Sequence, residues 1–62
     1  MKQRKKPSVS RLTKGLWRQA HDAEEKAAKL RELGFDRYAN SVAAAARAFS
    51  DAAMFLEAKA SQ

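Results

Sequence analysis

The residues with the clearest capacity for chemistry are three cations and a histidine near the start of the chain. Arg11, Lys14, Arg18 and His21 follow one another at intervals of three, four and three residues. On a helix this spacing places them on one side. A row of guanidinium and ammonium groups matches the phosphates of a polyanion, so we interpret it as a candidate phosphate-binding stripe. The alternative interpretation is an ordinary solvated face.

Trp17 lies beside this stripe in the sequence, outside the apolar repeat described below. An indole at such a position can stack on an unpaired base. The alternative is that Trp17 packs on the flank of a helical bundle or against the N-terminal segment, since Trp is usually mostly buried. Trp17 is therefore a candidate nucleic-acid contact, and packing within the protein is the alternative role.

Charge is distributed unevenly along the chain, whose formal net charge is +6. Residues 1–18 hold seven basic residues and no acid, whereas the rest of the chain is near neutral. Pro7 cannot lie inside a helix, so residues 1–7 are predicted to form a flexible basic arm. Such an arm favours polyanions through counterion release, and Lys5 and Lys6 join the candidate nucleic-acid contacts. The alternative is a solubilising tail.

The sequence contains few features that indicate a catalytic or a membrane function. The chain has no cysteine, no glycine-rich phosphate loop and a single histidine, whose i+4 neighbour Glu25 offers at most a weak contact. We predict no enzyme activity, no metal site and no cofactor. No apolar run approaches the ~18 residues of a membrane span, and no signal-peptide pattern follows the charged start. The expectation is a soluble, cytoplasmic protein without membrane contact.

The composition indicates an all-α fold. Alanine accounts for 14 of the 62 residues, and the β-branched residues are only Val9, Thr13 and Val42. A chain of this length buries only about 60% of its unfolded surface and is marginal alone. Without disulfides or metal to stabilise it, the chain is expected to associate with a second copy.

Two helices joined by a tight turn are predicted. Ser8 or Ser10 can cap the first helix, and Gly34 supplies a left-handed C-cap in which Phe35 folds back on Leu30. Asp36 is expected to cap the second helix. The connection is so short that the helices must be antiparallel neighbours. The predicted domain, residues 8–62, comprises a helix at about 9–33, a turn at 34–35 and a helix at about 36–60.

Apolar residues recur every seven positions in one register on both helices, with a large residue at one position and a small residue at another. Alternation of large and small residues lets antiparallel helices approach closely. Met54, Phe55, Tyr38 and Leu33 widen the apolar face beyond what one partner helix covers. Two hairpins are therefore expected to pair into a four-helix bundle. The predicted dimer core is Leu16, Ala23, Leu30, Phe35, Val42, Ala46, Phe49, Ala53 and Leu56.

The turn Leu30-Arg-Glu-Leu-Gly-Phe-Asp36 and the Ala-rich heptads resemble Rop, the plasmid-encoded RNA-binding protein family, whose turn reads Leu-x-Glu-Leu-Asp-Ala-Asp. The resemblance spans about residues 9–58 in pattern but only the turn in identity. It implies an antiparallel dimer of hairpins that binds paired RNA stem-loops with the exposed face of its first helices. By position that face here would carry Lys14, Arg18 and Lys29. The basic arm and the missing acidic C-terminal tail depart from the family pattern.

Two functional hypotheses follow. The first is a small basic homodimer that binds nucleic acid, RNA before DNA, as plasmid or phage regulators do. The second, from a different class, is a protein-interaction module such as a small helical inhibitor or adaptor, with Met54 and Phe55 on a helical partner.

Overall fold

The computed structural model describes residues 8–60, which form two helices packed side by side as a hairpin. Helix α1 is Val9–Glu32 and helix α2 is Asp36–Ala60. The predicted all-helical hairpin is confirmed for this part of the chain. Neither of the two helices combines the length and the hydropathy needed to cross a membrane. The predicted basic arm, residues 1–7, lies outside the described residues.

The first helix begins at a serine cap. Ser8 has extended backbone, and its hydroxyl accepts a hydrogen bond from the backbone N–H of Arg11 at 3.0 Å. This bond satisfies one of the N–H groups that have no partner within the helix. Ser10, the other candidate cap, lies inside the first turn.

The turn is a Schellman motif centred on Gly34. Its backbone N–H donates to the carbonyl of Arg31 at 3.1 Å, and the N–H of Phe35 donates to the carbonyl of Leu30 at 2.9 Å. The motif requires a left-handed residue, and Gly34 has φ of 90°. The predicted glycine C-cap is confirmed, and with Leu33 as the cap residue it reverses the chain within three residues.

The expected capping role of Asp36 is wrong. Asp36 is the first residue of α2, and the carbonyl of Phe35 accepts the first helical bond, from the N–H of Ala39 at 2.9 Å. The Schellman turn places Phe35 at the junction, so the aspartate falls one residue too late to cap. Its carboxylate still lies in the first turn of α2, where negative charge favours the helix dipole.

The interior of the hairpin consists of small side chains. Among residues 8–60 every buried apolar residue is an alanine, and Thr13 is the one buried polar residue. The Thr13 hydroxyl donates to the carbonyl of Val9, so its burial leaves no unsatisfied group. The helices thus contact each other along the small heptad positions, which are Thr13, Ala20 and Ala27 on α1 and Ala39, Ala46 and Ala53 on α2.

The large heptad positions are only partly covered. No large side chain in the described part is fully buried, and Phe35 at the turn is 51% exposed. The predicted dimer core therefore divides into three groups, of which the exposed Phe35 is one. Ala46 and Ala53 are already closed inside a single hairpin, whereas six of its residues remain half-buried along one side: Leu16, Ala23, Leu30, Val42, Phe49 and Leu56.

Candidate nucleic-acid interface

The predicted phosphate-binding stripe lies on the solvent-facing side of α1. Arg11, Lys14, Arg18 and His21 are all exposed. The first turn of α1 contains no acidic residue that would compete with a phosphate. Because the helix is continuous from Val9 to Glu32, consecutive members of the stripe are about one turn apart, roughly 4.5 to 6 Å along the axis.

The last member of the stripe contacts a carboxylate on its own helix. His21 Nε2 lies 3.3 Å from Glu25 Oε2, one turn further along the helix. Both side chains are well exposed, at 70% and 62%, so the contact contributes little to stability. The effective stripe therefore consists of Arg11, Lys14 and Arg18.

Trp17 forms a hydrogen bond with the second helix. Its indole Nε1 donates a hydrogen bond to Glu57 Oε2 at 3.1 Å, across the open end of the hairpin. The residue is 38% exposed, so one part of the ring packs against the protein and another part faces solvent. Trp17 thus lies on the flank of the hairpin, as the structural alternative expects, and still presents ring surface beside Arg18.

A shallow concavity of about 360 Å³ lies at the same open end. It combines an ammonium group from Lys14, a carboxylate from Glu57 and a hydroxyl from Ser10 with a largely apolar floor. The other lining residues are Val9, Thr13 and Ala60. The concavity thus combines polar and apolar groups, and it shares Lys14 with the stripe.

The seven residues predicted to contact nucleic acid do not form one described cluster. Lys29 lines a different concavity, with Leu30, Leu33 and Val42. It is separated from Arg18 by about three helical turns. Lys5 and Lys6 lie outside the described residues.

The contacts that sequence reasoning missed join the two helices. Glu57 meets Trp17, and Arg31 Nη2 donates to Asn40 Oδ1 at 3.1 Å near the turn. The heptad register contained a signal for the first contact. Trp17 and Glu57 each follow a large position, Leu16 and Leu56, so antiparallel packing places them at the same edge.

Within residues 8–60, His, Asp and Glu side chains form no group of three that could hold a metal ion. Comparison with known proteins finds no protein family, curated protein or solved structure that matches this chain.

Proposed function

We propose that this chain is a dimeric helical-hairpin protein that binds nucleic acid, RNA in preference to DNA, through the basic side of α1. The observation that carries the proposal is the stripe of Arg11, Lys14 and Arg18, which are exposed on one continuous helix. Their charges add to those of Lys5 and Lys6 in a segment that contains no acid. Binding of this kind depends on phosphate neutralisation and needs no catalytic group.

The preference for RNA rests on Trp17. An aromatic ring that is partly exposed beside Arg18 offers a stacking surface for unpaired bases, which loops and bulges of RNA present and duplex DNA does not. The resemblance of the turn and heptads to the Rop family points the same way. The described residues also form two packed helices without a recognition helix of the helix-turn-helix kind.

Dimerisation follows from the shortage of buried apolar surface. A hairpin whose buried apolar residues are all alanine gains little from burial, since each alanine removes few carbon atoms from water. Half-buried Leu16, Leu30, Phe49 and Leu56 require a further layer to become a core. A second hairpin supplies that layer and gives a four-helix bundle.

A protein-interaction module is the second candidate. Met54 and Phe55 are adjacent on α2 and are 51% and 60% exposed. Lys59 Nζ lies 5.5 Å from the centre of the Phe55 ring, a cation–π distance, yet the ring remains mostly open. Two large apolar residues of this kind form a suitable anchor for the groove of a helical partner.

Binding to a labelled RNA stem-loop and to a duplex DNA of the same length, at two salt concentrations, tests the proposal. We expect the affinity to fall steeply with salt, and Arg18→Glu to reduce it by more than the removal of one contact. Arg37→Glu is the matched control, since Arg37 is an exposed arginine at the turn end. No measurable binding to either nucleic acid at low salt would eliminate the proposal. Loss of a protein complex on Phe55→Ala, with Arg18→Glu silent, would favour the second candidate.

A further inference from the structure

The concavity at the open end of the hairpin lies between the start of α1 and the end of α2, and we call it the open-end cleft. Its volume of about 360 Å³ is within the range of small-molecule sites, roughly 300–1,000 Å³. Two further concavities in the described part of the chain, of about 310 and 230 Å³, contain cations but no carboxylate. The open-end cleft contains both signs of charge, because Lys14 and Glu57 belong to its lining.

The carboxylate of the cleft has a defined position relative to α1. Glu57 Oε2 accepts the hydrogen bond from Trp17 Nε1 at 3.1 Å, and Trp17 comes about one helical turn after Lys14. An ionised carboxylate has about four acceptor sites, of which the indole N–H takes one. Because Glu57 is exposed, its carboxylate can accept hydrogen bonds from a ligand in the cleft while Trp17 holds it.

The other polar groups of the cleft come from the first two turns of α1. Ser10 and Lys14 are exposed and four residues apart, so they lie on one side of the helix. The Thr13 hydroxyl already donates to the carbonyl of Val9. A ligand in the cleft therefore meets an ammonium group and a hydroxyl from α1, a carboxylate from α2, and apolar atoms from Val9 and Ala60.

The charges around the cleft favour an anionic ligand. Arg11 and Arg18 are exposed on α1, three residues before Lys14 and four residues after it. The segment of residues 1–18 contains no acid, so one carboxylate from α2 leaves the local charge positive. A nucleotide matches this combination, because it offers a phosphate to Lys14, hydroxyls to Ser10 and a flat base to the apolar atoms.

A carboxylate distinguishes guanine from the other bases. The Watson–Crick edge of an unpaired guanine presents two neighbouring donors, N1–H and the N2 amino group, which match the two oxygens of a carboxylate. On adenine and cytosine the amino group lies beside a ring nitrogen that accepts, and on uracil the N3–H lies between two carbonyls. At these edges a carboxylate finds one donor and an adjacent lone pair that repels it. It therefore attracts guanine and disfavours the other three bases.

We infer that the open-end cleft binds an unpaired guanine nucleotide, whose N1–H and N2 amino group donate to Glu57 and whose phosphate contacts Lys14. The inference rests on the proposed function and adds the identity of one recognised base. Lys14 belongs to both the stripe and the cleft, so a strand that follows the stripe passes the cleft. Neither Lys14 nor Glu57 is among the half-buried residues assigned to the dimer core, so the dimer and this site use different residues. A guanine in an RNA loop and free guanosine monophosphate share this chemistry.

A set of RNA stem-loops that differ in one loop base tests the inference. The base is guanine, inosine, adenine or uracil, and fluorescence anisotropy measures the affinity of the full chain for each stem-loop. We expect adenine or uracil in place of guanine to weaken binding by roughly 10–100-fold, because hydrogen bonds to a charged group are lost. Inosine lacks only the N2 amino group, so it should weaken binding about tenfold.

Two matched variants test the role of the carboxylate. Glu57→Gln and the control Glu24→Gln each remove one negative charge from an exposed position. The amide oxygen in Glu57→Gln still accepts the Trp17 N–H, so the contact between the helices is kept. We expect Glu57→Gln to weaken binding to the guanine loop about tenfold and to strengthen binding to the adenine loop, because an amide offers the acceptor and donor that adenine requires. Glu24→Gln should keep the preference for guanine.

An opposite result for Glu57→Gln would overturn the inference. If Glu57 acts only as a negative charge near phosphates, its removal strengthens binding to the guanine and adenine loops by the same factor. Equal affinities of the unmodified protein for the guanine, inosine and adenine loops would also overturn the inference, while leaving the proposed function in place.

Titration with guanosine monophosphate and adenosine monophosphate distinguishes the two sources of guanine. Emission from Trp17, the one tryptophan of the chain, reports a ligand at Glu57. A preference for the guanine loop without binding of free guanosine monophosphate would assign the cleft to RNA. Binding of guanosine monophosphate without binding of RNA would assign the cleft to the free nucleotide and overturn the proposed function. Absence of binding to every RNA and to both nucleotides would overturn the inference and the proposed function together.

Discussion

Trp17 and Glu57 are 40 positions apart in the chain, and a 3.1 Å hydrogen bond between indole Nε1 and carboxylate Oε2 joins them across the open end of the hairpin. The turn at Gly34 holds the helices together at the other end. This bond therefore acts where the ends of the helices are least constrained by the connection. It also fixes the one tryptophan of the chain beside the basic stripe.

A double-mutant cycle should detect this bond. We expect Trp17→Phe and Glu57→Ala to couple by about 0.5–1 kcal/mol in the free energy of unfolding, less than a buried bond to a charged acceptor because the pair is exposed. Urea unfolding at one fixed protein concentration measures the coupling, since the stability of the proposed dimer depends on concentration. The control cycle replaces Glu57→Ala with Glu24→Ala and should give no coupling. Additive Trp17 and Glu57 effects would show that the bond does not persist in solution.

The two glycines should respond to alanine with opposite signs. Gly34 has φ of 90°, so Gly34→Ala forces an L-residue into the left-handed region and should destabilise the hairpin by about 1–2 kcal/mol. Gly15 lies inside α1, and an added Cβ would meet nothing within 4 Å. Gly15→Ala should therefore stabilise by up to about 1 kcal/mol through helix propensity.

Thermal unfolding of the two variants beside the unmodified protein measures both effects. A Gly15→Ala variant that unfolds at a lower temperature would show that another surface approaches the backbone there. A Gly34→Ala variant as stable as the original would mean that the turn can adopt another geometry.

Larger side chains at the small heptad positions should destabilise the hairpin. Ala46 is 1% exposed between the helices, so Ala46→Leu has no free volume and should cost about 1–3 kcal/mol or change the packing. Ala44→Leu is the matched control, an exposed alanine of the same helix, and should change stability by less than about 0.5 kcal/mol. Equal melting temperatures for both variants would contradict close contact at Ala46.

The hairpin could be predicted because its signals are local or strictly periodic. Gly34 marks a left-handed cap wherever a helix ends, and a seven-residue repeat identifies the contact side of each helix without any knowledge of the partner. The role of Asp36 was mistaken because the cap lies one residue earlier, and sequence patterns fix helix ends only to within a residue or two.

The polar contacts of the site were harder to predict. From the sequence alone, Glu57 could pair with any nearby cation. The packing of α1 against α2 brings its carboxylate to the Trp17 indole, which donates a hydrogen bond to it. Similarly, Lys29 shares the sign of Lys14 and Arg18, but it lies about three helical turns from Arg18, beside Leu30 and Leu33. Sequence gives the type of a side chain, whereas its neighbours across the hairpin depend on helix rotation.

The final prediction concerns the use of Trp17 in binding. Trp17→Phe keeps an aromatic face and loses the N–H that donates to Glu57, whereas Trp17→Ala loses both. If the ring stacks on an unpaired base, Trp17→Ala should weaken binding to a stem-loop by roughly 5–100-fold, corresponding to about 1–3 kcal/mol, and Trp17→Phe should retain most of the affinity. On duplex of equal length both variants should bind as the unmodified protein does, because paired bases present no free face. Fluorescence anisotropy with labelled stem-loop and duplex measures the four affinities. Equal losses for Trp17→Ala on both nucleic acids would limit Trp17 to holding the open end of the hairpin, because a stacking residue discriminates between them and a structural one does not.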